Sequence, residues 1–252
     1  MKKTTMPQRM PTASVSSQRG VALFVVIVFV MLSMLLALWA SRTSLFNELV
    51  VGNDADYQRA FEAAQALILD AELDIRGENA DGTSCTSSNC RNSMSSVEKI
   101  PLEAKDIGPL LTALTGKTNS CSNALCAKTS DRKDFWNDKD ALAALAQDGI
   151  GARYGQYTGA DKGSTDKPSN PILFDTSAAN RGGWYWIEVL PYDESSKNSG
   201  LIVSDPGVNT PGRLPLNLTP SVVYRITALA YGRKANTMVV LQQTYARQRL
   251  KD

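Results

Sequence analysis

Cys85 and Cys90 stand five positions apart, as do Cys121 and Cys126, and no other cysteine occurs in the chain. An even number of thiols on a segment exported to an oxidising compartment reads as disulfides. A zinc site calls for closer pairs and usually for histidine, and the sequence contains none. Two local loops, Cys85 with Cys90 and Cys121 with Cys126, are the preferred pairing among the three connectivities that four cysteines allow. The missing histidine also removes the Ser-His-Asp and Cys-His arrangements of nucleophilic catalysis. Ser-x-x-Lys occurs at Ser96/Lys99, Ser130/Lys133 and Ser164/Lys167, scattered through polar stretches without a Lys-Thr-Gly partner. Asp134, Asp138 and Asp140 have the composition of a calcium loop but neither its spacing nor its terminal Glu, so they are expected to cap a helix. No Walker or dinucleotide-binding glycine pattern is present. The expectation is a protein that is not an enzyme and that uses no metal and no cofactor.

The elements that must carry these residues begin with an apolar run. Over residues 21–40 the only polar side chain is Ser33. About 20 residues at a 1.5 Å rise give roughly 30 Å, the hydrocarbon thickness of a bilayer. Thirteen of them are Val, Leu, Ile or Phe, each favouring insertion by about 0.3–0.6 kcal/mol. A secretory signal has a shorter apolar core and a small-residue cleavage site after it, which this run lacks. Lys2, Lys3, Arg9 and Arg19 precede it, and Glu48, Asp54, Asp56 and Glu62 follow. Positive-inside bias then places the N-terminus in the cytoplasm and the rest of the chain in the periplasm, with a single pass through the inner membrane. With 27 basic and 25 acidic residues and no basic tract beyond the first twenty positions, no nucleic-acid partner is expected.

Helical spacing continues outward over residues 41–76. Leu45 and Leu49, then Phe61, Ala64, Ile68, Ala71 and Ile75, recur at three- and four-residue spacing, with Arg59, Glu62, Asp70 and Glu72 off that stripe. Gly52, Asn53 and Asp54 are poor helix formers and predict a kink or a melted turn, while Gly77 after Arg76 predicts a C-cap. Residues 77–183 read as a loop-rich region holding the cysteines, with a helix near 102–114 and a capped one within 137–149. Residues 184–247 read as antiparallel sheet. Its expected strands are 184–190, 222–231 and 237–245, the last two joined across 232–236, with 201–203 as a further member. Strand alternation sends Trp184 and Trp186 to one face and Tyr185 to the other, so packing rather than a ligand-binding aromatic patch is expected. The fold class is α+β, a long N-terminal helix covering a C-terminal antiparallel sheet.

Gln18-Arg19-Gly20 followed by Val21-Ala22-Leu23 resembles the cleavage site of type IV prepilins. Further on, Gly52-Asn53 and Ala60-Phe61-Glu62-Ala63-Ala64 sit in a stretch that resembles the helix signature of the PilX minor pilins. The strand at 184–190 and the ending Val239-Val240-Leu241-Gln242-Gln243-Thr244-Tyr245-Ala246-Arg247 are also similar to that group. The resemblance covers both ends of the chain, and the middle carries no family signal. It implies a leader of residues 1–20, cut by a prepilin peptidase between Gly20 and Val21, and N-methylation of Val21. It also implies a helix kept first in the inner membrane and then in the core of an extracellular filament. The partners implied are other minor pilins, the major pilin and a large tip adhesin, in pilus initiation, adhesion and twitching motility. One residue departs from the pilin pattern. Most pilins carry Glu at the fifth mature position, thought to pair with the amine of the subunit ahead, and here that position is Val25. A carboxylate without a partner in hydrocarbon costs several kcal/mol, so Val25 suits a tip-located priming complex with no subunit ahead. Two rivals stand beside this reading: the tip-like pseudopilin of a type II secretion system, and a periplasmic binding protein on an uncut inner-membrane anchor.

Overall fold

In the computed structural model, which describes residues 19–91, 99–101, 104–127, 134–191 and 222–246, the apolar run and the amphipathic stretch after it form one continuous helix, α1 (Arg19–Arg76). The backbone stays helical through Gly52, Asn53 and Asp54, where their low propensity predicted a break. Propensity costs of about 1 kcal/mol are readily overridden by tertiary bonds, and Asn53 has one: its Oδ1 accepts from Lys234 Nζ at 3.0 Å. The chain divides into two compact units, Met1–Gly52 and Asn53–Asp252.

α1 ends where Gly77 permits. Gly77 has φ 69°, its N–H bonds to Asp74 O at 3.1 Å, and the Glu78 N–H bonds to Leu73 O at 3.0 Å. This is the paired closure of a Schellman motif, which uses up two terminal carbonyls. Gly77→Ala is expected to cost about 1 kcal/mol, the penalty of a Cβ in left-handed backbone. A thermal melt of the purified full chain measures it, and an unchanged midpoint would show that the cap is dispensable.

Within the second unit a sheet of five strands runs in the order β1 (Cys121–Ser122), β2 (Leu125–Ala127), β3 (Gly183–Pro191), β4 (Val222–Tyr231) and β5 (Met238–Tyr245). β3, β4 and β5 form the antiparallel meander that their alternation predicted, with Trp184 opposite Leu229 and Leu229 opposite Val240. The Cys121–Cys126 hairpin belongs to the sheet, and β2 pairs with β3 in parallel, Leu125 opposite Ile187. The sheet is therefore mixed, and the region read as loop supplies one of its edges. The stretch 201–203 lies outside the described residues.

Both faces of the sheet are covered. On one, Tyr185, Ile187 and Val189 of β3 and Tyr224, Ile226 and Ala228 of β4 pack with Ala60, Ala63, Leu67 and Ala71 of α1 and with Ile107, Leu110 and Leu114 of α2 (Ala104–Thr115). Four alanines of α1 (Ala60, Ala63, Ala64, Ala71) are fully buried, and side chains this small let the helix axis come close to the strands. On the other face, Trp184, Trp186 and Leu229 pack under Phe135, Leu142 and Leu145. The Phe135 and Trp186 rings meet edge-on at 5.0 Å, a favoured aromatic geometry. Leu142 and Leu145 lie on α3 (Lys139–Leu145), whose N-terminus Asp138 caps by accepting from the Asp140 and Ala141 amides. The fourth helix is a single turn, α4 (Pro171–Phe174), capped by Asn170.

Candidate assembly interface

α1 presents two surfaces with opposite chemistry. Over its first turns every large apolar side chain is exposed, from Val28 at 38% to Trp39 at 71%. The helix is apolar all round rather than on one stripe, which calls for lipid or other helices on every side. Ser33 and Thr43 make no polar demand on those surroundings. Ser33 Oγ donates to Val30 O at 2.9 Å and Thr43 Oγ1 to Trp39 O at 3.0 Å, so each is satisfied within its own helix. This is the one described helix long and apolar enough to cross a membrane. Gly20 and Val21 fall in its first turn, and Val25 is 43% exposed on the same apolar surface.

From Asn53 onward α1 is half buried, and its buried face carries three carboxylates: Asp56, Asp70 and Asp74, each no more than 4% exposed. Asp70, expected off the apolar stripe, is on the buried face. The spacing holds a better signal. Asp56, Ala60, Ala63, Leu67, Asp70 and Asp74 step by three and four residues along one stripe, so period should have outweighed polarity. Phe61, placed on the apolar stripe, sits at its margin, half-buried.

Each acid ties α1 to a different part of the domain. Asp56 accepts the backbone amides of Arg233 and Lys234 at 2.9 and 3.0 Å, which fixes the β4–β5 turn to the helix. Gly232 lets the carboxylate in, since a Cβ there would lie 2.3 Å from Asp56 Oδ2. Burial alone would push the Asp56 carboxyl up, but the two amides, Thr237 and the Lys234 charge outweigh it and hold it below its ordinary value.

Asp70 accepts the Gly155 amide at 2.7 Å and the Thr158 hydroxyl. Asp74 accepts Arg91 Nε at 2.8 Å on both oxygens and the Tyr185 hydroxyl at 3.0 Å. Arg91 also donates to Asn123 O at 2.6 Å and lies 3.8 Å over the Tyr157 ring. Both partners of this pair are nearly inaccessible, at 3% and 1% of side-chain exposure. Burial pushes the Asp74 carboxyl up, and Arg91 and Tyr185 pull against that rise.

Burial likewise raises Asp70, to about 6, although Thr158 and Gly155 oppose it. Between the ordinary 3.8 and about 6 the folded chain holds a proton that the unfolded chain has released. Stability from this group is therefore full below the lower value and lost as pH rises through the upper one. The loss amounts to about 3 kcal/mol at most. We expect the melting midpoint to fall between pH 4 and 7 and Asp70→Asn to flatten that slope. An equally steep slope in the variant would assign it to another group.

The cysteines pair locally, Cys85 with Cys90 and Cys121 with Cys126. The first ring is held against the domain where Cys85 Sγ meets Tyr157 O at 3.4 Å. The second closes the β1–β2 hairpin. Asp138 spends a side-chain oxygen on its helix cap, as expected, and among the described residues no group of His, Cys, Asp and Glu side chains is placed to hold a metal ion. Ser164 and Lys167 form a turn in which Ser164 Oγ accepts from the Lys167 backbone amide at 3.2 Å. The other two Ser-x-x-Lys pairs include residues outside those described.

Two family models match the chain: the PilX N-terminal family over residues 19–68 and the C-terminal domain of the type IV pilus assembly protein PilX over residues 118–247. No curated protein and no solved structure matches it.

Proposed function

Because the chain belongs to the PilX family of type IV pilus assembly proteins and is thus a minor pilin, we propose that it stands at the filament tip and helps to start assembly. Residues 1–20 form a leader removed by prepilin peptidase between Gly20 and Val21, and Val21 becomes the N-methylated end. Residues 21–40 hold the precursor in the inner membrane and residues 41–76 continue the helix outward. Residues 77–252 form the periplasmic domain, which is later carried outside on the pilus. The observation that supports the tip most directly is Val25. On an apolar run exposed all round, whose one hydroxyl, on Ser33, bonds within its own helix, it leaves no charge to be neutralised by a subunit ahead. Contacts with other minor pilins and with the major pilin are then apolar packing among helices, and a large tip adhesin is a neighbour on the outer side.

Two measurements test this. N-terminal sequencing of protein taken from pili is expected to begin at Val21, and a chain still beginning at Met1 would return the protein to a tethered domain. Gold labelling of an epitope fused after Asp252 is expected to decorate one end of each filament. Labels distributed along the shaft would overturn the tip position and leave family membership untouched.

A further inference from the structure

Beside the disulfide ring at Cys85 and Cys90 lies a polar cavity of about 480 Å³, lined among others by Arg153, Lys162, Asn89, Thr176 and Asp148. Arg153 is built into its wall. The guanidinium lies 3.5 Å over the Trp184 ring, Nη1 donates to Arg181 O at 2.5 Å, and Nη2 donates to Ala178 O at 2.9 Å. The side chain is 9% exposed, and its buried Nε has no partner among the described residues. Lys162, also in the lining, is half-buried. Neither cation forms an ion pair among the described residues. Burial pulls both below their ordinary values, with Asp148 opposing at Arg153 and Asp70 opposing at Lys162. Two cations have thus been partly stripped of water without a carboxylate in contact, an arrangement that an incoming anion relieves.

The rest of the lining says which anion. Asp148 in the lining, with Asp70 acting on Lys162 and Asp175 on Arg153, already offsets much of the positive charge, so the site disfavours a phosphate dianion. Asn89 and Thr176 are exposed, and their side chains make no hydrogen bond among the described residues. They offer neutral donors and acceptors of the kind that pair with hydroxyl groups. We propose that this cavity binds an acidic sugar, with its carboxylate between Arg153 and Lys162 and its hydroxyls against Asn89 and Thr176. The site lies wholly within the domain and does not depend on where in the filament the subunit stands.

The test titrates the full chain in detergent with N-acetylneuraminic acid, glucuronate, glucose and inorganic phosphate, followed by saturation-transfer NMR into the millimolar range. One or both acidic sugars are expected to bind, with glucose and phosphate each at least tenfold weaker. Lys162→Gln is expected to lower that affinity tenfold or more in protein that still folds. Arg153 is a poor choice for substitution because it holds the backbone at Ala178 and Arg181. If Lys162→Gln does not fold, Asn89→Asp on the exposed rim should bring the same loss by adding a negative charge. No saturation transfer to either acid, glucose or phosphate binding as well as the acids, or unaltered affinity in the folded variant would each overturn the proposal.

Discussion

Asp74→Ala is expected to lower the stability of the domain by about 3–5 kcal/mol, the range for removing one member of a buried ion pair. Total stabilities run at about 5–15 kcal/mol, so this variant sits near the edge of folding. The size follows from what remains. Arg91 would keep its full charge in a site 3% exposed, with Tyr185 Oη losing the carboxylate it donates to at 3.0 Å. The triple replacement Asp74→Leu, Arg91→Met, Tyr185→Phe removes charge and hydroxyl together and is expected to recover most of the loss. Chemical denaturation of the full chain in detergent measures both. A single variant within 0.5 kcal/mol of the parent, a value typical of unremarkable surface changes, would contradict the role assigned to the pair.

Val25→Glu is the second large effect, and it is felt in assembly rather than in folding. Val25 lies in the apolar run, far in sequence from the buried acids, so the melting midpoint of the domain is expected to stay put. In the membrane an unpaired acid at the centre of a span costs about 2.5–3.5 kcal/mol on insertion scales, and five residues in from its end the cost is smaller but still unfavourable. A subunit at the proposed tip has no amine ahead to offset that, and pili per cell are expected to drop at least tenfold. An inner subunit would find the amine, and normal piliation in the variant would speak for an inner position.

How legible these features were depended on how much chain each signal spans. The apolar run could be read from composition alone, because twenty residues with one hydroxyl have few soluble uses. β3, β4 and β5 were legible because eight to ten residues of alternation outweigh chance. β1 and β2 were not, being two and three residues long. β2 is held by pairing with β3, from which it is separated by a long stretch of chain, and β1 by pairing with β2, and no local window contains that information. The burial of Asp56, Asp70 and Asp74 was not legible, for the opposite reason. Their spacing was visible, but a carboxylate is normally solvated, and the partners that make burial tolerable come from Arg91, Gly155 and Lys234.

The two short disulfide rings, each closing a sequence separation of 5, bear on how the polypeptide matures when it first meets an oxidant. A crossed pairing would close a ring roughly six to eight times longer, at a chain-entropy disadvantage of about 1.7 kcal/mol, or nearly twentyfold in encounter frequency. Each correct bond can therefore snap shut as its own short segment emerges, before any strand has found its neighbour. Scrambled isomers are kinetically disfavoured from the start, and the maturing molecule makes little demand on a disulfide isomerase.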